Sequence, residues 1–149
     1  MKFIVKKFSE LTTEELYTIL LLRSEVFVVE QNCVYQDVDD KDQKAYHVLG
    51  IKEGKLIGYA RLFNAGDYFE FPSMGRILIQ ENQRKYKYGY ELVQESINYI
   101  ENNFTEKTIV ISAQTYLNKF YNSLGFLQEG EGYLEDGIPH IKMIRHQSN

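Results

Sequence analysis

The chain has 149 residues, a formal net charge of −4, 44% hydrophobic residues and 14% aromatic residues, the aromatics being 12 Tyr and 9 Phe with no Trp. This is the length of one ordinary domain, enough to bury roughly two-thirds of the surface of the unfolded chain, so a single domain over 1–149 is expected and disorder is excluded. The acidic balance argues against a nucleic-acid partner, which would need a broad basic face.

One cysteine, Cys33, excludes an internal disulfide, and the three scattered histidines lack the ligand spacing of a zinc site, so no metal is expected. An EF-hand register from Asp37 fails as well, because Lys41 and Asp42 fall where an oxygen ligand and a glycine are required. The N-terminal apolar stretch is too short for a signal peptide, and no run approaches the length of a membrane span. The expectation is a soluble, cytoplasmic protein with no membrane partner.

Residues 2–8 alternate as a first strand, and Thr12-Thr-Glu-Glu15 forms a capping box ahead of a helix that keeps Leu16, Ile19, Leu20 and Arg23 at helical spacing. The apolar run Val26-Phe-Val-Val29 continues without a breaker, through a kink or into a second short helix. From Asn32 to Lys44 the composition is polar and acidic, that of a loop. Strands over 46–53 and 55–63 follow, joined at Glu53-Gly54-Lys55 in hairpin chemistry.

After a loop around Asn64 to Pro72 comes a strand at Ile77, then a basic turn, then a long helix in which Val93, Ile97, Ile100 and Phe104 form one apolar stripe. Thr108 to Ser112 is a short strand, placed parallel to the Ile77 strand by a right-handed crossover. Leu117, Phe120, Tyr121 and Leu124 mark a short helix closed by Gly125. Two last strands, 126–133 and 138–145, flank the hairpin signal Asp136-Gly137. The sum is an α/β chain with a mixed sheet of about six or seven strands flanked by helices.

The turn between the Ile77 strand and the long helix is the most informative stretch. The first helical N–H groups have no partner within their helix, and the helix dipole places partial positive charge there. Gly89 lacks a Cβ and admits close approach to the backbone, while Arg84, Lys85 and Lys87 bring three cations into four residues. A polyphosphate suits such a turn. Neither the Walker pattern nor the dinucleotide glycine pattern is present, so ATP and NAD are disfavoured.

Arg84-Lys-Tyr-Lys87-Tyr-Gly89 resembles the Gln/Arg-x-x-Gly-x-Gly/Ala phosphate motif of the GNAT superfamily of acyl-CoA-dependent N-acetyltransferases, with lysine in place of the middle glycine. Ala113-Gln114 and Phe120-Tyr121-Asn-Ser-Leu-Gly125-Phe126 resemble that superfamily's next strand and its Phe/Leu-Tyr-x-x-x-Gly-Phe helix. Leu22 to Asp37, Tyr59-Ala-Arg61-Leu, Gly75-Arg-Ile and Glu135 to His140 extend the resemblance to the ElaA-like subgroup over nearly the whole chain. The Arg-x-x-Val-Phe-x-x-Glu portion is also similar to acyl-homoserine-lactone synthases.

The resemblance implies the GNAT fold and acetyl-CoA (coenzyme A) as acyl donor. It implies that Ile77, Leu78 and Ile79 pair with the acyl-pantetheine arm, that Arg84, Lys85, Lys87, Tyr88, Gly89 and Tyr90 hold the phosphates, and that Gln114 contacts the arm. Tyr121 is implied as the general acid that protonates the departing thiolate.

His140, early in the last strand, is the candidate general base, with Glu30 and His47 as rivals. Arg23 and Arg61 either hold a substrate carboxylate or pair with Glu30 inside the fold. The acidic residues Asp37, Asp39, Asp40 and Asp42 either attract a cationic amine or form a solvated loop. The expected acceptor is a primary amine of a small molecule or peptide, and GNAT relatives often form homodimers through exposed strands. A non-catalytic acyl-CoA-binding or partner-binding module and an acyl-homoserine-lactone-type synthase are the alternative readings.

Overall fold

The computed structural model describes residues 1–147, and the chain opens with strand β1 (Lys2–Lys7) leading to helix α1 (Thr13–Arg23). The capping box forms as its spacing predicts: Thr12 Oγ1 accepts the Glu15 amide at 3.0 Å, and Glu15 accepts the Thr12 amide at 2.8 Å. Beyond Arg23 the apolar run neither kinks nor starts a new α-helix. Ser24–Glu30 widens into π-helical turns, closed by an i to i+5 bond from the Cys33 amide to the Val28 carbonyl at 3.0 Å.

Strands β2 (Tyr46–Lys52) and β3 (Lys55–Phe63) form the expected hairpin, with Glu53 and Gly54 both at positive φ, 51° and 78°. Strand β4 (Ser73–Ile79) pairs antiparallel with β3 and empties through a 3-10 turn, Glu81–Tyr86, into helix α2 (Tyr88–Asn103). Strand β5 (Ile109–Gln114) returns parallel to β4. Helix α3 (Asn118–Asn122) ends at Gly125, whose φ of 92° lets the Phe126 amide turn back to the Tyr121 carbonyl at 3.1 Å. Strands β6 (Leu127–Glu135) and β7 (Ile138–Arg145) close the chain, giving one mixed sheet ordered β1-β2-β3-β4-β5-β7-β6.

Helix α2 buries Val93, Ile97, Ile100 and Phe104 against Ala60, Leu62, Ile111 and Met143 on one face of that sheet. On the other face Ile19, Leu22 and Val26 cover Leu49, Tyr59 and Leu78. Each large aliphatic side chain enclosed this way contributes about 1.5–3 kcal/mol. Both faces of the central strands are therefore covered, and a ligand can enter the sheet only where its strands part.

They part between β4 and β5. Only Ser73 and Val110 stand in register, joined by the Val110 amide to the Pro72 carbonyl at 2.9 Å. Past that point Met74–Ile79 pairs with β3 alone and Ile111–Gln114 with β7 alone, so two strand edges face each other across a wedge. Strand β4 also carries a bulge, where the pairing shifts between Tyr59 and Arg61 and Arg76 takes φ 47°. A bulge leaves its extra residue outside the ladder, here between the paired Gly75 and Leu78.

The acidic stretch departs from the solvated-loop expectation. Asp37 and Asp42 are buried and Asp39 half-buried, and the three face three guanidinium groups. Arg23 Nε reaches Asp37 at 2.9 Å and its Nη1 reaches Asp42 at 2.7 Å; Arg61 binds Asp39 at 2.8 Å and Asp42 at 3.0 Å; Arg76 binds Asp37 at 2.7 Å. Only Asp40 of the four stays exposed. The pairing of Arg23 or Arg61 with Glu30 is corrected too, since both arginines bind aspartates and Glu30 binds Arg84 instead.

Candidate active site

The wedge opens into a cleft of about 170 Å³ floored by Gly75, Arg76 and Ile77 of β4 and by Ile111 to Gln114 of β5. Phe27 and Gln31 reach it from the π-helical segment and the turn just after it, Phe63, Tyr68 and Phe69 from the end of β3 and the next loop, and Glu135, Asp136, Ile138 and His140 from the last hairpin. Leu117 and Tyr121 line it from the α3 side. Residues far apart in sequence converge there because the end of β3, the first half of β4, the end of β5 and the β6–β7 turn all border the wedge.

Tyr121 is almost fully buried, with edge-on contacts to Phe120 at 5.1 Å and Phe126 at 5.8 Å. Burial, reinforced by Tyr116, pushes its phenol well above the ordinary range, so it keeps its proton through neutral pH. His140 is also buried, and its Nδ1 lies 2.7 Å from the Ile138 carbonyl oxygen. A carbonyl only accepts, so Nδ1 carries the hydrogen and Nε2 is the free acceptor, 3.4 Å from Glu135 Oε2. Gln114 stands directly across from His140 in the β5–β7 ladder.

Of the three β4 residues expected on the acyl arm, only Ile77 lines the cleft. Leu78 packs under α1 and Ile79 under α2, because a strand turns alternate side chains to opposite faces. The role the resemblance implies for Leu78 and Ile79 is pairing through their backbone, which the packing of their side chains leaves open. Arg23 is fully enclosed and outside the cleft lining, while Arg61 lines the cleft with its guanidinium already held by Asp39 and Asp42. His47 is removed from contention as a base: it is fully buried between the Tyr59 hydroxyl at 2.7 Å and the Asp42 carbonyl at 3.0 Å, and burial lowers its pKa.

The basic turn lies at the other end of β4. Its left-handed residue is Lys87, φ 61°, at the position where the motif carries its middle glycine, and Gly89 sits in ordinary helical backbone instead. No side chain caps the start of α2. A Cβ built on Gly89 would come no nearer than 4.0 Å to any atom, the Ile79 Cγ1, so packing does not demand glycine there and the space beside the helix start is open. Lys85, Lys87 and Tyr90 are exposed around it and Tyr88 is half-buried. Arg84 is committed elsewhere: its Nε donates to the Ile79 carbonyl at 2.9 Å and its two terminal nitrogens clasp Glu30 at 2.5 and 2.9 Å. Glu30 thus orders the turn from the π-helical segment and lines no part of the cleft.

Composition and motif spacing could not reveal Arg76, Ser112, Glu135 or the aromatic wall as cleft residues. The signals in the sequence were the resemblance stretches Gly75-Arg-Ile and Glu135 to His140, which contain Arg76 and Glu135, and the Asp136-Gly137 turn, which returns β7 beside β6 and so sets Glu135 near His140.

A sheet split between parallel strands, with an uncapped helix start at one end of the split and a protonated tyrosine beside it, is the architecture of an acyltransferase. The comparisons with known proteins agree. A family model described as an acetyltransferase (GNAT) domain matches residues 8–146, and the chain belongs to that family. Protein ElaA of Escherichia coli (strain K12) is 42% identical over 139 residues, 92% of this chain and 91% of that protein, and its crystal structure superimposes with a TM-score of 0.91 over 98% of this chain and all of the other. An acyl-CoA N-acyltransferase from Pseudomonas aeruginosa is 35% identical with a TM-score of 0.91, covering 98% of this chain and 100% of its own. The acyl-homoserine-lactone synthase LasI shares the fold at a TM-score of 0.75 and 16% identity, over 96% of this chain and 89% of its own.

Among the described residues no group of metal-binding side chains occurs, and no helix is long and apolar enough to cross a membrane.

Proposed function

We propose that the protein is an acetyl-CoA-dependent N-acetyltransferase acting on a primary amine of a small molecule or peptide. The observation that carries this reading is the wedge between β4 and β5, whose unpaired strand edges accept an extended arm in the manner of an added strand. The residues fit acyl-CoA: Lys85, Lys87 and the uncapped N–H groups at Tyr88, Gly89 and Tyr90 would hold the diphosphate, and the backbone of Ile77 to Ile79 with Gln114 would hold the pantetheine. Bound acyl-CoA supplies the acyl group already activated as a thioester.

The chain's own groups then divide the work. His140 Nε2 accepts the proton that the incoming ammonium must lose, leaving the electron pair on the amine nitrogen. A backbone N–H of the unpaired β4 edge would meet the thioester oxygen, where negative charge grows. Tyr121 gives its phenolic proton to the departing sulfur and recovers one from the new amide nitrogen, so that it ends as it began.

Release of thiol from acetyl-CoA across a panel of amines tests the reaction, and calorimetry with coenzyme A tests the cradle. The expected result is amine-dependent thiol release together with a loss of coenzyme A affinity of about tenfold or more on replacing Lys85 and Lys87 by alanine. Dephospho-pantetheine fragments should bind both proteins alike. Equal weakening of coenzyme A and of the fragments would place the diphosphate elsewhere.

A further inference from the structure

We infer that the acceptor end of the cleft selects an ammonium group carried on an apolar or aromatic body with no carboxylate next to it, and that Glu135 is the residue that receives this ammonium before His140 takes its proton. The inference rests on the acyltransferase reading and deepens it to a substrate class.

Charge accounting within the cleft leads there. Its two arginines are both ion-paired, Arg61 with Asp39 and Asp42 and Arg76 with Asp37 and Asp39, the buried Nε atoms of both making no hydrogen bond, so that with Arg23 three guanidinium groups meet three carboxylates and the cluster is neutral. No other cationic side chain lines the cleft, whereas the carboxylates of Glu135 and Asp136 have no arginine or lysine partner among the described residues. The residual charge at this end is therefore negative. A carboxylate on the acceptor would meet it without a counter-charge, and an ammonium would be drawn in.

The carboxylate of Glu135 is held in place rather than loose on the surface. Ser112 Oγ donates to Glu135 Oε1 at 3.3 Å and is itself hydrogen-bonded to the Tyr133 hydroxyl, while Glu135 Oε2 stands 3.4 Å from His140 Nε2. The Tyr133 ring stacks beside the imidazole, 23° from parallel and 6.2 Å between centroids. One oxygen thus faces the nitrogen that accepts the proton. In the step, an N–H bond of the ammonium breaks, an H–Nε2 bond forms, the electron pair stays on the amine, and the hydrogen on Nε2 faces Glu135 Oε2. Phe27, Tyr35 and Phe69 wall the same space with apolar surface for the body of the substrate.

Phenethylamine and phenylalanine share one aromatic body and differ by the carboxylate beside the amine, so they are the probes. Calorimetry on the protein saturated with coenzyme A should show phenethylamine binding at least about tenfold more tightly than phenylalanine, and kcat/KM for acetyl transfer should follow the same order. Glu135→Gln, at a half-exposed side chain where folding is not at stake, should erase that preference and raise KM for phenethylamine at least about tenfold. Asp136→Asn, conservative at a φ of 50° that asparagine tolerates, should lower the preference by a smaller factor. Equal or better binding of phenylalanine, or a KM untouched by Glu135→Gln, overturns the inference even if acetyl transfer proceeds. Selective binding of phenethylamine without turnover upholds it and overturns the transferase reading instead.

Discussion

At the scale of single residues, Tyr121 and Lys87 are each held in a state that their surroundings impose. Burial keeps the Tyr121 phenol protonated, and its ring is wedged edge-on between Phe120 and Phe126. Tyr121→Phe retains those ring contacts and removes only the donor. Thiol-release assays should show kcat lower by about tenfold or more, while calorimetry gives a coenzyme A affinity within about twofold of the parent. A drop in affinity with kcat intact would make the residue a packing element. Lys87 carries a side chain at φ 61°, a conformation that costs a non-glycine residue about 1–2 kcal/mol. Lys87→Gly relieves that strain but adds freedom to the unfolded chain, so urea unfolding should show a net gain of about 0.5–1 kcal/mol. Coenzyme A binding should weaken at the same time, because the ammonium goes with the side chain. Gain in stability with loss of binding is the pattern of a residue retained for a ligand.

Among elements, helix α2 offers the same opposition more sharply. Its first turn contains Gly89 in ordinary helical backbone with open space where a Cβ would stand, so glycine there weakens the helix by up to about 1 kcal/mol relative to alanine. Gly89→Ala should therefore raise the melting temperature, and calorimetry should show coenzyme A weakened at least about tenfold by the methyl group at the helix start. Unchanged affinity would mean that no ligand approaches this backbone. The elements themselves were largely legible because their signals are local: the Thr12–Glu15 cap, the stripe Val93–Ile97–Ile100–Phe104, and the two turns at Glu53-Gly54 and Asp136-Gly137 each involve residues within a turn or two of one another. What was illegible depends on partners distant in sequence. The π-helical Ser24–Glu30 reads as a plain apolar run, and its widened turns coincide with the clasp of Glu30 on Arg84, 54 positions away. Similarly, the bulge in β4 has no signature in Gly75-Arg-Ile; it coincides with the hold of Asp37 and Asp39 on Arg76.

Over the whole molecule, that ion cluster joins α1, the 31–44 segment, β3 and β4, so its charge state governs both stability and the shape of the cleft. Burial tends to raise the carboxyl pKa of Asp42, but hydrogen bonds and charge from Arg23 and Arg61 outweigh it and hold the group below its usual range. The same holds for Asp39, where Arg61 and Arg76 prevail over burial. A group whose pKa is lower in the folded state than in the unfolded one, here near about 3.9 unfolded, contributes its full stabilisation above that value and loses it as pH falls from there through the lower folded-state value. His47 acts earlier. Burial lowers its pKa, so the unfolded chain takes up a proton below about 6.5 while the folded protein resists it, and stability starts to fall there. Urea midpoints measured from pH 8 to pH 3 should decline in two stages, a shallow one beginning near about pH 6.5 and a steeper one below about pH 4.5. Arg23→Met, which strips a fully buried cation from Asp37 and Asp42, should cost about 3–5 kcal/mol at neutral pH and flatten the second stage, since Asp42 then loses one of the two cations that hold its pKa down. A second stage as steep in Arg23→Met as in the parent would show that acid unfolds the protein through other carboxylates, and the cluster would lose its claim to hold the cleft together.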